Sequence, residues 1–194
     1  MRYIGTVEPA ADWSTRHSVT ATARRTVDLV NVLSVPEDSS EDASEAVAGV
    51  LRAHGEDGPL DVSARDVQEM RAVAGLLREV FAAADVDRAA CVLNGLLQRS
   101  NGRLRLTSHG SRSPWHPHLD ADDDAPWAEW FLASSCLALT VLIWDRQCPP
   151  GGVCASPGCS NVYLTQGSGP PRRYCSRRCA TRERVAAHRR KAPG

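Results

Sequence analysis

The chain has 194 residues, enough for one domain of ordinary size and a small second one, and no internal repeat or low-complexity tract. Its 23 basic and 23 acidic residues balance, but the segment from Cys154 to Gly194 carries a net charge of +8 and the remainder −8. The first residues, Met1 to Glu8, lack the apolar stretch and cleavage site of a secretory signal. We therefore expect a cytoplasmic protein whose seven cysteines are reduced, and disulfides are the weaker interpretation.

The front part of the chain is predicted to be helical. Apolar residues recur there at helical spacing, and Ser63 followed by Asp66 gives one helix a capping box. The last helix is the most apolar, with Asp124 as its expected cap and Pro126 in its first turn. Its apolar stretch from Trp130 to Trp144 is shorter than the roughly 20 residues that cross a bilayer, so we predict a core helix and no membrane partner. The predicted helices cover residues 41–52, 63–81, 87–99 and 124–144.

Two alternating runs, residues 103–107 and 115–119, predict a short antiparallel hairpin. The second run carries His116 and His118, which would lie on one side of a strand and could share a metal ion. Pro117 between them and the acidic stretch that follows suit a solvated loop, which is the interpretation we favour. That acidic stretch contains Asp120, Asp122, Asp123 and Asp124. Because the sequence has no glycine-rich phosphate loop, nucleophile elbow or His-Glu-x-x-His helix, we predict that the protein is not an enzyme.

The most specific motif lies in the last part of the chain, where four cysteines form two close pairs. The Pro157-Gly158 turn brings the members of the first pair together. Thiolates in a reducing compartment favour zinc, and four of them make a closed, structural site that leaves no open position for catalysis. We therefore predict one structural Zn²⁺ ion bound by Cys154, Cys159, Cys175 and Cys179.

This zinc finger is predicted to be a β-hairpin followed by a helix. Residues 161–165 and 172–174 have the pattern of two strands joined by a glycine- and proline-rich loop, and residues 176–191 that of one helix opened by Ser176. The fold class is therefore mainly α, with a helical amino-terminal domain that includes a short antiparallel β-hairpin, plus the small carboxy-terminal finger. The predicted domains are residues 1–147 (helical domain), 148–153 (linker) and 154–194 (zinc finger).

Arginine dominates the basic excess of the finger. The planar guanidinium suits phosphate and base edges, and the formal charge of −2 on a four-thiolate zinc centre would offset only part of the excess. We therefore predict a contact with double-stranded DNA, against two alternatives: a solvated basic tail, and a zinc-stapled module that docks on an acidic protein surface without binding DNA. The predicted DNA-binding residues are Arg172, Arg173, Arg177, Arg178, Arg182, Arg184, Arg189 and Arg190.

Together these motifs resemble those of the CGNR zinc-finger proteins, bacterial transcription regulators that carry an amino-terminal ABATE domain. The resemblance rests on the two cysteine pairs, Tyr163-Leu164, Arg172-Arg173-Tyr174-Cys175, His188-Arg189-Arg190, Val27-Asp28-Leu29-Val30-Asn31 and Leu93-Asn94-x-x-Leu97. It implies a zinc-dependent DNA-binding regulator whose helical domain senses a small-molecule effector, binds a protein partner or forms a homodimer. From the residues alone, Asp28 and Asn31 are better interpreted as capping or helix-contact residues.

One departure from the family pattern concerns its name-giving Cys-Gly-Asn-Arg motif. That motif appears here as Cys179-Ala180-Thr181-Arg182, which keeps the zinc ligand and the arginine but replaces the glycine and the asparagine. The replacement leaves the zinc site intact. It puts the DNA target and the affinity of this chain in question.

Overall fold

The computed structural model describes residues 19–35, 40–56, 60–100, 102–110, 115–122, 124–165 and 172–191. Within these ranges the chain forms six helices and two small antiparallel hairpins, which confirms the predicted fold class. The elements are α1 (Val19–Leu33), α2 (Ser40–Ala53), α3 (Ala64–Phe81), α4 (Val86–Arg99), β1 (Arg105–Thr107), β2 (His116–His118), α5 (Trp127–Arg146), β3 (Gly151–Val153), β4 (Val162–Leu164) and α6 (Arg177–Lys191). Helix α1 is not among the helices predicted from the sequence.

The helix starts follow local signals in two cases and depart from them in a third. The capping box of α3 is confirmed, since Ser63 Oγ accepts from the Asp66 amide and the Asp66 carboxylate accepts from the Ser63 amide. At α4, Asp85 accepts from the Arg88 amide at 2.8 Å. The prediction that Asp124 caps α5 is wrong, because Pro126 takes the cap position and no side chain bonds the first turn.

Helix α5 lies at the centre of the helical domain. By length and composition it could cross a bilayer, since it has 20 residues and its most apolar 18-residue window has a mean hydropathy of 1.4, so length alone does not exclude a membrane span. In the structure this helix packs against α1, α3 and α4, and its buried side chains include Phe131, Leu139 and Leu142. The apolar character of α5 therefore matches its place as a core helix.

A single apolar core connects the helices to the finger. The largest fully buried side chains of the helices are Leu29, Leu51, Met70, Leu77, Phe81, Phe131 and Leu139. Val162 and Leu164 of strand β4 belong to the same cluster, and β4 lies against α1 and α3. Strand β4, which lies in the run predicted as the first strand of the finger, is thus also part of the core of the helices.

The strand pairing of the finger differs from the prediction. Strand β4 falls inside the predicted run 161–165, but its partner is Gly151–Val153 rather than residues 172–174, which are not a strand. The pairing places Gly152 opposite Tyr163, and a Cβ on Gly152 would lie 2.7 Å from the Tyr163 hydroxyl. A Cβ on Gly151 would lie 1.8 Å from the Tyr163 carbonyl oxygen, so glycine in this linker-like segment is what allows the two strands to pair. The boundaries of the domains stay a prediction.

The second hairpin is the one predicted between residues 103–107 and 115–119. Strands β1 and β2 pair in antiparallel register, with Arg105 opposite His118 and Thr107 opposite His116. Strand β2 lies beside helix α5, and the imidazoles of His116 and His118 line a cavity that helix residues also line. The interpretation of this stretch as a solvated loop is wrong for His116 and His118, which are partly buried in β2. Asp123 lies outside the described residues.

Candidate metal centre and nucleic-acid interface

The four cysteines of the two pairs converge in one place. Their sulfur atoms all lie within 4.8 Å of one another, and Cys175 Sγ is 3.7 Å from Cys159 Sγ and 3.7 Å from Cys179 Sγ. A tetrahedron with Zn–S bonds of about 2.3 Å has edges of about 3.8 Å, so these separations are those of a zinc site. The donor set therefore fits one structural zinc ion held by Cys154, Cys159, Cys175 and Cys179.

The first cysteine pair is held by a tight turn of the backbone. Gly158 has a φ of +74°, which favours glycine, and the Cys159 amide donates to the Ser156 carbonyl at 3.0 Å. The Cys154 amide donates to the Asn161 carbonyl at 2.8 Å and so continues the β3–β4 ladder up to the first ligand. The predicted Pro157-Gly158 turn thus brings Cys159 back beside Cys154.

The second pair is positioned by the start of helix α6. Ser176 accepts a hydrogen bond from the Cys179 amide at 3.2 Å, so the helix begins as predicted and holds Cys179 in its first turn. The Cys175 amide points at Cys154 Sγ at 3.4 Å, an N–H···S contact of the kind that stabilises a thiolate ligand. The Ala155 amide donates to the Arg173 carbonyl at 2.9 Å. These contacts join the two halves of the site through backbone groups.

The thiols of the site differ in acidity. Hydrogen bonding with Ser176 lowers the pKa of Cys179 to about 7, whereas burial raises the pKa of Cys175 to about 12. A zinc ion requires thiolates, so its charge would displace the proton of every cysteine ligand, including the Cys175 thiol. Metal binding to this cluster therefore releases protons.

A polar network surrounds the zinc ligands. Ser156 is buried, and its hydroxyl donates to the Glu183 carboxylate at 2.6 Å while accepting from the Arg182 guanidinium at 2.6 Å. The same guanidinium lies 3.8 Å from Cys179 Sγ. The turn between the first two ligands is thereby tied to helix α6, and Arg182 places positive charge beside a thiolate.

The structure divides the eight predicted DNA-binding arginines into two groups. Arg172 turns back to the carbonyls of Tyr174 and Cys175 and stacks on the Tyr163 ring, and Arg182 belongs to the network around Ser156. Both act on the zinc centre itself. All eight arginines are exposed, and those whose guanidinium groups are not bonded to the zinc centre are Arg173, Arg177, Arg178, Arg184, Arg189 and Arg190. Of these, Arg173 lies over the Tyr174 ring.

The finger is attached to the helical domain by side chains that bond its backbone. The side-chain Nδ2 of Asn31 donates to the Val162 carbonyl at 3.1 Å, and its Oδ1 accepts from the Val162 backbone amide at 2.7 Å. Arg146 donates to the Thr165 carbonyl at 2.6 Å, and Arg78 donates to the Ser160 carbonyl. The interpretation of Asn31 as a capping or helix-contact residue is thus wrong, because its side chain bonds the backbone of strand β4.

An open groove separates the zinc site from helix α1. Its volume is about 790 Å³, and it is lined on the helical side by Asp28 and Asn31 and on the finger side by Arg172, Arg178 and Arg182. Asp28 pairs with His54 at 2.8 Å. The groove extends the basic surface of the finger to the edge of the helical domain.

A second cluster of metal-ligating side chains lies on the β1–β2 hairpin. His116 and His118 lie beside His109, which the sequence analysis missed, and the ligating atoms of the three are within 4.8 Å of one another. The buried Asp120 carboxylate accepts from His118 and Arg105, both at 2.9 Å. Burial alone would raise the pKa of Asp120, but the hydrogen bonds and charges of His118 and Arg105 outweigh it and lower that pKa.

Comparison with known proteins identifies both parts of the chain. Residues 23–143 match the ABATE family, which is described as "Putative stress-induced transcription regulator", and residues 152–192 match the CGNR zinc finger. No curated protein matches the chain. The two families are of regulator and zinc-finger types. Since the first match covers more than half of its residues, the chain belongs to the ABATE family and carries a CGNR zinc finger behind the ABATE region.

Proposed function

We propose that this protein is a cytoplasmic, zinc-dependent transcriptional regulator whose finger binds double-stranded DNA. The observation that carries the proposal is the distribution of charge on α6. Its only acidic residue, Glu183, turns its carboxylate inward to Ser156, so the described outward surface of the helix is basic. A rigid helix with a basic outer surface, fixed by a metal site, suits the phosphates that line a DNA groove.

The arginines have two roles in this proposal. The six whose guanidinium groups are not bonded to the zinc centre contact DNA, mostly at phosphates, with Arg177 and Arg178 at the helix start best placed for base edges. Arg172 and Arg182 act indirectly, because their guanidinium groups are committed to the carbonyls and sulfur of the zinc site. The loss of the family Gly and Asn at Ala180 and Thr181 falls on two exposed positions of the first turns, where it alters the DNA target and leaves the zinc ligands in place.

The helical domain is proposed to sense a signal or to form a dimer. Its contact with β4 through Asn31 gives it a direct mechanical link to the finger. A small-molecule effector or a protein partner bound to the helices could therefore change the position of the finger. Dimerisation would pair two fingers on two half-sites and raise specificity above that of one small module.

The test is a fluorescence-anisotropy titration of the full-length, zinc-loaded protein against duplex fragments from around its own gene at two salt concentrations. We expect binding that prefers one fragment over scrambled duplex and weakens steeply with salt. Replacing Arg184 by Gln should weaken binding to all sequences and reduce the salt slope by about 1, as expected for one lost phosphate contact. The control is Arg99→Gln, the same charge change at an exposed position on α4, which should leave affinity unchanged.

Two results would overturn the proposal. One is an absence of binding to any duplex at low salt by protein that holds its zinc. In that case the opposite net charges of the two parts would favour the alternative, a zinc-stapled module that docks on an acidic protein surface. The other is an equal loss of affinity in Arg184→Gln and Arg99→Gln, since this would show that net charge alone and not the helix α6 controls the binding.

A further inference from the structure

Three imidazoles meet on the β1–β2 hairpin, far along the chain from the zinc finger. His116 Nε2 lies 3.1 Å from His109 Nε2 and 3.0 Å from His118 Nε2. The ring centroids are 4.8 to 5.1 Å apart, and the rings are tilted or perpendicular to one another rather than stacked. The same nitrogen of each ring thus points toward a common centre.

The backbone is shaped to bring these rings together. His116 and His118 alternate with Pro117 on β2, so both side chains leave the strand on one side. His109 reaches the same side through a left-handed conformation, with a φ of 48°, and its amide donates to Thr107 Oγ at 3.1 Å. Such a conformation is uncommon for a residue other than glycine and points to a functional constraint.

The carboxylate of Asp120 sets the tautomer of His118. His118 Nδ1 lies 2.9 Å from the Asp120 carboxylate and therefore carries a proton, which makes Nε2 the atom of this ring that can present a lone pair. A proton on His116 Nε2 can point directly at only one of its two neighbours. A lone pair of the cluster that does not accept this proton is available to a cation at the centre.

A second layer of side chains fixes the cluster. Asp120 is buried, bonds the far nitrogen of His118 and is itself paired with Arg105 at 2.9 Å. A histidine that donates its outer N–H to a carboxylate is the common arrangement of metal-ligating histidines, because the carboxylate sets the tautomer and raises the basicity of the ligand. The cluster therefore has both the ligands and the support that a metal site requires.

We propose that His109, His116 and His118 bind one divalent transition-metal ion through their Nε2 atoms. Nitrogen–metal bonds of about 2.0–2.1 Å in a tetrahedron place the ligand atoms about 3.3 Å apart, close to the distances in this cluster. Three neutral imidazoles suit zinc, cobalt, nickel or copper and do not suit magnesium or calcium. Unlike the four-cysteine site, this site leaves a coordination position open.

The open position has a cavity beside it. The three histidines line a cavity of about 470 Å³, which is also lined by Trp127, Trp130 and the ion pair between Arg25 and Glu56. Arg25 also lies over the Trp130 ring at 4.2 Å. A small molecule with a carboxylate or another Lewis-basic group could therefore coordinate the ion while its apolar part contacts the indole rings. The site belongs to the ABATE region and is independent of the finger and of DNA binding.

Cobalt is the probe of choice, because its absorption distinguishes the two sites. Co²⁺ is added to full-length protein whose finger already holds one equivalent of zinc. We expect one further equivalent to bind, with visible bands of nitrogen- and oxygen-ligated cobalt and without sulfur-to-metal charge transfer. His116→Ala should lose this equivalent and keep the zinc, whereas His188→Ala, the same change at an exposed histidine of α6, should bind as the parent does.

A milder variant covers the case in which His116→Ala fails to fold. Asp120→Asn keeps the shape of the side chain and all three ligands, and should weaken cobalt binding about 10- to 100-fold by removing the charge behind His118. Far-UV circular dichroism and the zinc content of each variant establish that it is folded. The proposal is overturned if the zinc-loaded parent binds no further cobalt, or if folded His116→Ala or Asp120→Asn binds it with the affinity of the parent.

Discussion

The helical domain and the zinc finger are stabilised in different ways although they share one strand. In the helical domain, large side chains such as Met70, Leu77 and Phe81 are fully buried against one another. In the finger, Val162 and Leu164 face the helical core, and the other buried residues include the ligands Cys154 and Cys179. The helices thus form a core from apolar area, and the described part of the finger has little apolar core that is its own.

This difference assigns the stability of each region to a different cause. A segment of about 40 residues buries too little apolar surface to fold alone, and structural zinc supplies about 10–16 kcal/mol of apparent binding free energy to small fingers. The helical domain needs no such ion for its core. Strand β4 is the place where the two causes meet, since its backbone is held by β3 and by Asn31.

Removing one zinc ligand should give the largest effect. We expect Cys175→Ser to lose the metal, to expose the amides of α6 to hydrogen exchange and to lose DNA binding, while α1, α3 and α5 stay protected. Cys91→Ser is the control, because Cys91 is exposed on α4 and outside the cluster. Exchange read by mass spectrometry and zinc content measure the result. Protection of α6 equal to that of the parent would show that the finger folds without its ion.

A core substitution should act on the other region. Phe81 is 1% exposed at the end of α3, and Phe81→Ala should lower the free energy of unfolding by about 3–5 kcal/mol through lost burial and a cavity. Leu106→Ala, at a site that is 66% exposed, should change it by no more than about 0.5 kcal/mol. Urea unfolding followed by circular dichroism measures both. The zinc content of folded Phe81→Ala should equal that of the parent, and a loss of zinc would contradict the separation of the two causes.

The contact between the regions is tested by Asn31→Ala. The change leaves the buried amide and carbonyl of Val162 without their side-chain partner, which should cost about 1–3 kcal/mol. Asn94→Ala, at an exposed position of α4, is the matched control and should cost less than about 0.5 kcal/mol. Urea unfolding again provides the measurement. Equal stability of the two variants would mean that apolar packing alone attaches β4 to the helices.

Local patterns were sufficient to predict the zinc ligands and most helices. Cys154 and Cys159, like Cys175 and Cys179, are close in sequence, and the turn and helix that bring each pair together are encoded beside them by Gly158 and Ser176. The capping box of α3 is equally local. Such features need no knowledge of the rest of the chain.

Features that depend on contacts between distant segments were not predictable in the same way. The strand partner of β4 was missed because Gly151 and Gly152 have the composition of a linker, and the need for glycine at these two positions arises from Tyr163, eleven residues after Gly152. His109 was missed because it precedes the strand of His116 by seven residues and reaches the cluster only through its left-handed backbone. A histidine followed by Gly110 in a turn was the available signal.

The smallest predicted effect concerns the polar network that ties the first cysteine turn to α6. Ser156→Ala removes a buried hydroxyl that bonds Glu183 and Arg182 and should cost about 1 kcal/mol, which corresponds to zinc binding about fivefold weaker. Ser160→Ala, an exposed position next to the ligand Cys159, should leave zinc affinity unchanged. Competition with a chelator measures both affinities. Because Arg182 is the arginine of the family motif, a weaker site in Ser156→Ala alone would assign that arginine to the support of the zinc centre. Equal zinc affinities of the two variants would show that backbone hydrogen bonds are sufficient to hold the turn. Arg182 would then be assigned to the DNA-binding surface.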